Sequence, residues 1–166
     1  MALYVGAFDP ITLGHLDIIR RSCKLFDKVI VGVVDQLDKQ PLFTVEERVR
    51  QIHQVIQGFA NVEVKSIDDI LIEATQGQHV YVLIRGLRSV TDFEQEFQIS
   101  AINKKLAVST ETVLMMAAPQ YRFVSSTLVR EVAAAGGCVK GLVPLAVEKA
   151  LLAKFKGRVP RAIPTG

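Results

Sequence analysis

Three short stretches hold most of the side chains able to act on a polyphosphate. The first is Gly6-Ala7-Phe8-Asp9-Pro10-Ile11-Thr12-Leu13-Gly14-His15. It contains neither G-x-x-x-x-G-K-S/T nor G-x-G-x-x-G, so it is neither a P-loop nor a dinucleotide fingerprint. Gly6 and Gly14 let backbone approach a ligand closely, and His15 falls on the first turn of the helix that follows. Such a helix start offers unsatisfied amides and partial positive charge to phosphate. The helix end lowers the pKa of a histidine while a nearby polyphosphate raises it, so spacing alone leaves the charge of His15 open. It leaves open, equally, a plain proline turn capped by a histidine.

The second stretch is Arg85-Gly86-Leu87-Arg88, followed by Asp92 and Glu96. Two arginines about a glycine, leaving a strand end, form a fork for anionic oxygens. A pair of surface arginines bridging Asp92 and Glu94 is the bland alternative. It suits one arginine but not Arg85, which directly follows the apolar run ending at Ile84. The third stretch is Tyr121-Arg122-Phe123-Val124-Ser125-Ser126-Thr127-Leu128-Val129-Arg130. One hydroxyl at a helix start is an ordinary N-cap, whereas three in a row suit a second phosphate-binding helix end. Lys39, by itself, reads as a solvated loop lysine.

These stretches need elements that bring them to one edge. Apolar runs at Leu3–Val5, Val29–Val34, Val62–Val64, Val80–Ile84 and Thr112–Met116 read as strands covered on both faces. Helices are predicted over 14–26, from Thr44, over 68–75, over 92–106, from Ser125, and after Pro144. In the first, Leu16, Ile19, Cys23 and Phe26 make one apolar stripe. In the second, Thr44 and Glu47 form a capping box. Strand–helix alternation predicts an α/β fold with a doubly wound, five-stranded parallel sheet and C-terminal helices. Ligands of such folds sit beyond the carboxyl ends of the strands, where all three stretches fall. The absence of repeats and linkers predicts one domain over 1–156, with a loose tail over 157–166.

Composition narrows the classes. The 166 residues are 49% hydrophobic and 22% charged with a net charge of +3, so no basic patch or arm argues for nucleic acid. No apolar run approaches the ~20 residues that span a bilayer, and the start leaves no room for a cleavable signal. Cys23 and Cys138 form no metal pattern and need no disulfide, which fits a reduced cytosol. His53 and His79 lack chemical context and read as structural or solvated.

The three stretches taken together resemble one family. The T-x-G-H of Thr12–His15 and the V-S-S-T-x-x-R of Val124–Arg130 are signatures of the nucleotidyltransferase superfamily. With K-x-P-x-F from Lys39 and R-G-L-R-x-x-x-D-F-E-x-E from Arg85, the order and spacing are similar to those of phosphopantetheine adenylyltransferases from about Leu3 to Phe155. The resemblance implies transfer of the adenylyl group of ATP to 4′-phosphopantetheine, releasing pyrophosphate, with Mg²⁺, in a cytoplasmic homo-hexamer serving coenzyme A synthesis. By position it implies that His15 stabilises the transition state. It implies that Lys39, Leu71 and Arg85 face the pantetheine phosphate arm. Phe8, His15, Gly86, Leu87, Arg88, Glu96 and Tyr121 to Thr127 (Tyr121, Arg122, Phe123, Val124, Ser125, Ser126, Thr127) hold ATP, and Ala7 touches both substrates. Ala7 departs from the Thr or Ser usual at its position; Gln95, Thr127 and Arg130 are milder departures. Rival readings are a relative using nicotinamide mononucleotide or glycerol phosphate, a non-catalytic nucleotide sensor, and an RNA-binding domain.

Overall fold

The computed structural model describes residues 1–35, 40–67, 81–106 and 108–156. In chain order the elements are β1 (Ala2–Gly6), α1 (Leu13–Leu25), β2 (Val29–Val34), α2 (Val45–Ile56), β3 (Val62–Ile67), β4 (Val82–Leu87), α3 (Val90–Leu106), β5 (Glu111–Met116), a 3-10 turn (Pro119–Tyr121), α4 (Ser126–Ala134) and α5 (Leu145–Lys154). The predicted helix over 68–75 and the predicted tail over 157–166 lie outside the described residues.

All five strands are parallel, in the order β3-β2-β1-β4-β5. The chain therefore winds outward from β1 in one direction and then, from β4, in the other. The carboxyl ends of β1 and β4 flank that reversal, where a doubly wound sheet opens a crevice. Residues of β1 alternate between two apolar layers: Ala2 and Tyr4 join the larger core, Leu3 and Val5 the smaller one with Ile30 and Leu83. Side chains of a strand alternate sides, so burying both parities makes the run continuously apolar.

Helices α1, α2 and α4 start on side-chain caps. Thr44 and Glu47 form the expected capping box, with Thr44 N–H donating to Glu47 Oε2 at 2.9 Å. Ser125 caps α4 by accepting from Leu128 N–H at 3.0 Å. Element ends and one buried face differ in places from the sequence reading. The strand ending at Ile84 in that reading continues to Leu87, because Arg85, Gly86 and Leu87 still pair with Leu114, Met115 and Met116 of β5. Pro144 is the N-cap of α5 and stands just outside its first turn. In α1 the innermost residues are Ile18, Ile19 and Ser22, whereas Leu16, Cys23 and Phe26 are only part-buried. Ser22 tolerates full burial because its hydroxyl donates to the Ile18 carbonyl at 2.8 Å.

Candidate active site

The β1–α1 turn forms the floor of a cavity of about 410 Å³ at the sheet reversal. Phe8 adopts φ 48°, a left-handed conformation that is costly for a bulky residue. Its buried ring packs edge-on against Tyr4 and His15, with centroids 5.3 and 5.1 Å away. A Cβ on Gly6 would lie 3.1 Å from that ring. Gly6 thus makes room for Phe8, a role the sequence reading gave to a ligand. Asp9, almost fully buried, accepts from Leu42 and Phe43 N–H at 2.8 and 2.9 Å and from Arg130 Nη1 at 2.6 Å. One carboxylate therefore ties the turn to the approach of α2 and to α4. Ser126 adds a bond from its hydroxyl to the Pro10 carbonyl at 2.8 Å.

His15 occupies the third position of α1, where a capping box usually carries Glu or Gln. Its Nδ1 accepts from Thr12 N–H at 3.1 Å, and His15 N–H donates back to Thr12 Oγ1 at 3.3 Å. A neutral imidazole that accepts at Nδ1 carries its proton on Nε2. Burial foremost, then the charge of Arg88, lowers its pKa to about 4. The sequence left the charge open; in the free chain it is a neutral ring with one free donor, Nε2–H.

Among the described residues four arginines line the cavity, and each faces a carboxylate. Arg85, reaching in from β4, donates from Nε and Nη2 to both oxygens of Glu96 at 2.7 and 2.6 Å, and from Nη1 to the Val5 carbonyl. Arg88 pairs with Asp92, whose Oδ2 also accepts the Arg88 N–H at 2.9 Å. Arg130 pairs with Asp9, and Arg48 with Asp35 at 3.1 Å. With His15 neutral, the formal charges of the described lining residues cancel. The bland alternative weighed from sequence is thus realised for Arg88 through Asp92, while Arg85 selects Glu96, one turn beyond Asp92.

Of the residues singled out from sequence, Ala7, Phe8 and His15 line the cavity from the first turn. Arg85, Gly86, Arg88 and Glu96 line it from β4 and α3, and Tyr121, Val124, Ser125, Ser126 and Thr127 from the approach to α4 and its first turn. Leu87, Arg122 and Phe123 do not line it, and Phe123 is exposed. Lys39 and Leu71 fall outside the described residues. The sequence reading missed Tyr4, Asp9, Thr12 and Arg48 as parts of the wall. Thr12 had a signal, as the cap before the histidine; Arg48 had none.

The chain from residue 3 to residue 132 matches the Cytidylyltransferase-like family model. It is 48% identical to the phosphopantetheine adenylyltransferase of Moorella thermoacetica over 155 residues, 93% of this chain and 97% of that one. The enzyme of the same name from Clostridium tetani is 48% identical over 87% of this chain and 90% of its own. The chain belongs to the phosphopantetheine adenylyltransferase family. The family's Gloeobacter violaceus member is 45% identical over 95% of this chain and 98% of its own. Among solved structures, a Vibrio parahaemolyticus protein provisionally named a nicotinate-nucleotide adenylyltransferase superposes with a TM-score of 0.68 at 15% identity, covering 95% of both chains. That likeness speaks for the α/β nucleotidyltransferase fold. Its membership of the phosphopantetheine adenylyltransferase family makes the chain a nucleotidyltransferase.

Membership sharpens the question of Ala7, which stands where the resemblance leads one to expect Thr or Ser. Its carbonyl is held by Arg48 Nη1 at 2.8 Å, so the backbone of the turn is fixed whatever the side chain. Ala7→Thr should add a hydroxyl donor worth about 1.5–3 kcal/mol against a charged oxygen. The expected result is a rise of about tenfold or more in kcat/KM for the acceptor, with little change in Tm. Folded Thr and Ser variants that both leave kcat/KM unchanged would remove the missing hydroxyl as a limit on rate.

Proposed function

We propose that this chain adenylylates 4′-phosphopantetheine with ATP, yielding dephospho-coenzyme A and pyrophosphate. The observation that carries the reading is the placement of His15, its Nδ1 held by the Thr12 N–H, in one cavity with Arg85, Arg88 and the starts of α1 and α4. An acceptor phosphate is already ionised at neutral pH and needs no general base. Catalysis then reduces to in-line positioning and to stabilising charge on the α-phosphate and the leaving pyrophosphate. A histidine that stays neutral suits this, since it donates one hydrogen bond without exchanging a proton.

In this reading Nε2–H of His15 donates to a non-bridging α-phosphate oxygen. Arg88 and the first turn of α4 hold the triphosphate, and Arg85, with Lys39 and Leu71, receives the pantetheine arm. Mg²⁺ would supply charge neutralisation on the transferred phosphates. It favours oxygen ligands, often one or two carboxylates with substrate phosphates and water. The described residues hold no group of three or more His, Cys, Asp or Glu suited to a metal, and the cavity carboxylates face arginines. The ion is therefore expected to arrive with the triphosphate, its oxygens coming from phosphate and water.

Self-association into a hexamer belongs to the same reading. Supporting it, Val90, Phe93, Phe97, Ile99 and Ile102 of α3 are all exposed, a density of apolar surface typical of interfaces. A cytoplasmic setting suits free Cys23 and Cys138, and no described helix is long and apolar enough to cross a membrane.

The acceptor is tested directly. Purified protein with ATP and Mg²⁺ should convert 4′-phosphopantetheine to dephospho-coenzyme A with stoichiometric pyrophosphate. Equal or greater kcat/KM for nicotinamide mononucleotide would falsify the assignment.

A further inference from the structure

Arg48 is the largest of the fully buried side chains, at 1% exposure, and it is charged. Burying a charge is costly unless it is paired and its donors are satisfied, so such a residue calls for a structural reason. Its guanidinium reaches three segments that meet at the cavity. Nη1 donates to the carbonyls of Ala7, in the β1–α1 turn, and of Val34, the last residue of β2, at 2.8 and 3.0 Å. Nε donates to the carbonyl of Thr44, the N-cap of α2, at 3.3 Å, and Nη2 to Asp35 at 3.1 Å. Asp35 is half exposed, so this pair alone compensates the buried charge poorly.

The Ala7 carbonyl gives the arrangement a function. In a trans peptide the N–H of Phe8 points opposite to the carbonyl of Ala7, so pinning the carbonyl fixes the direction of that amide. Ala7 and Phe8 both line the cavity, and Phe8 is held at positive φ, one half of the αR–αL pairing in which successive amides make an anion-binding concavity. Strain of that kind persists only where surrounding contacts over-determine the conformation. Arg48 supplies such a contact from the side of α2.

We propose that Arg48 is a positioning residue, which aims the Ala7–Phe8 peptide at a phosphate of the bound nucleotide and locks it to the ends of β2 and α2. The proposal rests on the polyphosphate reading of the cavity but not on the identity of the acceptor. The planar fork matters: the guanidinium spreads its bonds to Ala7 and Val34, to Thr44 and to Asp35 over three nitrogens, whereas lysine keeps the charge but gathers its donors on one.

The test is binding of inorganic pyrophosphate to wild type and to Arg48→Lys by titration calorimetry, which involves no acceptor. Folding is checked by circular dichroism well below each Tm. The expected result is at least a tenfold weaker Kd for pyrophosphate in the variant, with a comparable fall in kcat/KM for ATP. A second variant, Arg48→Gly, should regain pyrophosphate affinity when tens of millimolar guanidinium is added, and not with sodium chloride at matched ionic strength. Wild type labelled with ¹⁵N-phenylalanine serves if neither variant folds: the Phe8 amide should shift downfield on adding pyrophosphate. A folded Arg48→Lys that binds pyrophosphate within twofold of wild type makes Arg48 a brace only and overturns the proposal. So does a Phe8 amide that pyrophosphate leaves unmoved. Failure of the acceptor assay with these binding results intact would instead overturn the choice of acceptor.

Discussion

His15→Ala is expected to lower kcat by about 10²–10³, the scale of removing one preorganised donor aimed at developing charge. ATP affinity should change far less, because a neutral ring adds little to ground-state binding of a polyanion. The structure adds a pH signature. Since burial and Arg88 lower the pKa to about 4, His15 is neutral from about pH 5.5 upward, and its ionisation should leave kcat/KM flat between pH 5.5 and 8. A basic limb with an apparent pKa near 6.5 that vanishes in His15→Ala would mean that an ordinary imidazolium does the work. Stability follows the same group. A histidine whose folded pKa lies below its unfolded value contributes fully above about pH 6.5, and that contribution is lost as pH falls toward 4. His15→Ala should flatten that part of the pH–stability curve. Wild-type kcat in the variant would reduce His15 to a helix cap.

Asp9→Ala is expected to be the most destabilising single change at the site. It strips the acceptor from Leu42 and Phe43 N–H and leaves Arg130 without its carboxylate. Breaking a buried pair from one side costs about 3–5 kcal/mol. Arg130 keeps roughly a quarter of its side chain in water, so about 3 kcal/mol is the better expectation. For a chain of this size that is about 6–12 °C in Tm. Turnover should fall as well, since the turn, α4 and the approach to α2 lose their common anchor. Asp9→Asn keeps one acceptor oxygen and should fall between the two. Thermal melts of both variants decide; an unchanged Tm in Asp9→Ala would mean that water replaces the carboxylate without cost.

Local chemistry in this chain was legible from sequence because it is written within a few residues. Thr44 and Glu47 announce a helix start, Ser125 another, and Thr12-x-x-His15 places a ring at a third. The alternation of apolar runs dictated a covered parallel sheet in the same way. Long-range pairing was not legible. Arg48 sits on α2 beside Glu46, Glu47 and Arg50, and a run of charges on a helix reads as its wet face. Only the meeting of α2 with the ends of β1 and β2 turns it inward. Arg85 marked the end of its strand in the sequence because it is the first charge after an apolar run. In the fold the last residues of β4 border the cavity, so a polar residue continues the ladder there. Its partner Glu96 is one helix turn past Asp92, a choice set by how α3 leaves β4.

The matching of every cavity arginine with its own carboxylate has a consequence for what the empty pocket ignores. Each guanidinium already holds a resident counter-ion, so a visiting anion must compete with it. Chloride, sulfate or inorganic phosphate can displace one such partner at a time and gains little. On the polyphosphate reading a triphosphate can meet more than one of the part-exposed Arg85, Arg88 and Arg130, and after its first contact the others act at high effective concentration, while buried Arg48 stays out of reach. On that reading the pocket is expected to act as a threshold filter on chain length, favouring polyphosphates over the abundant small anions of a cell. Attraction at long range is correspondingly weak, because a locally neutral surface projects little field. Discrimination is left to the last few ångströms.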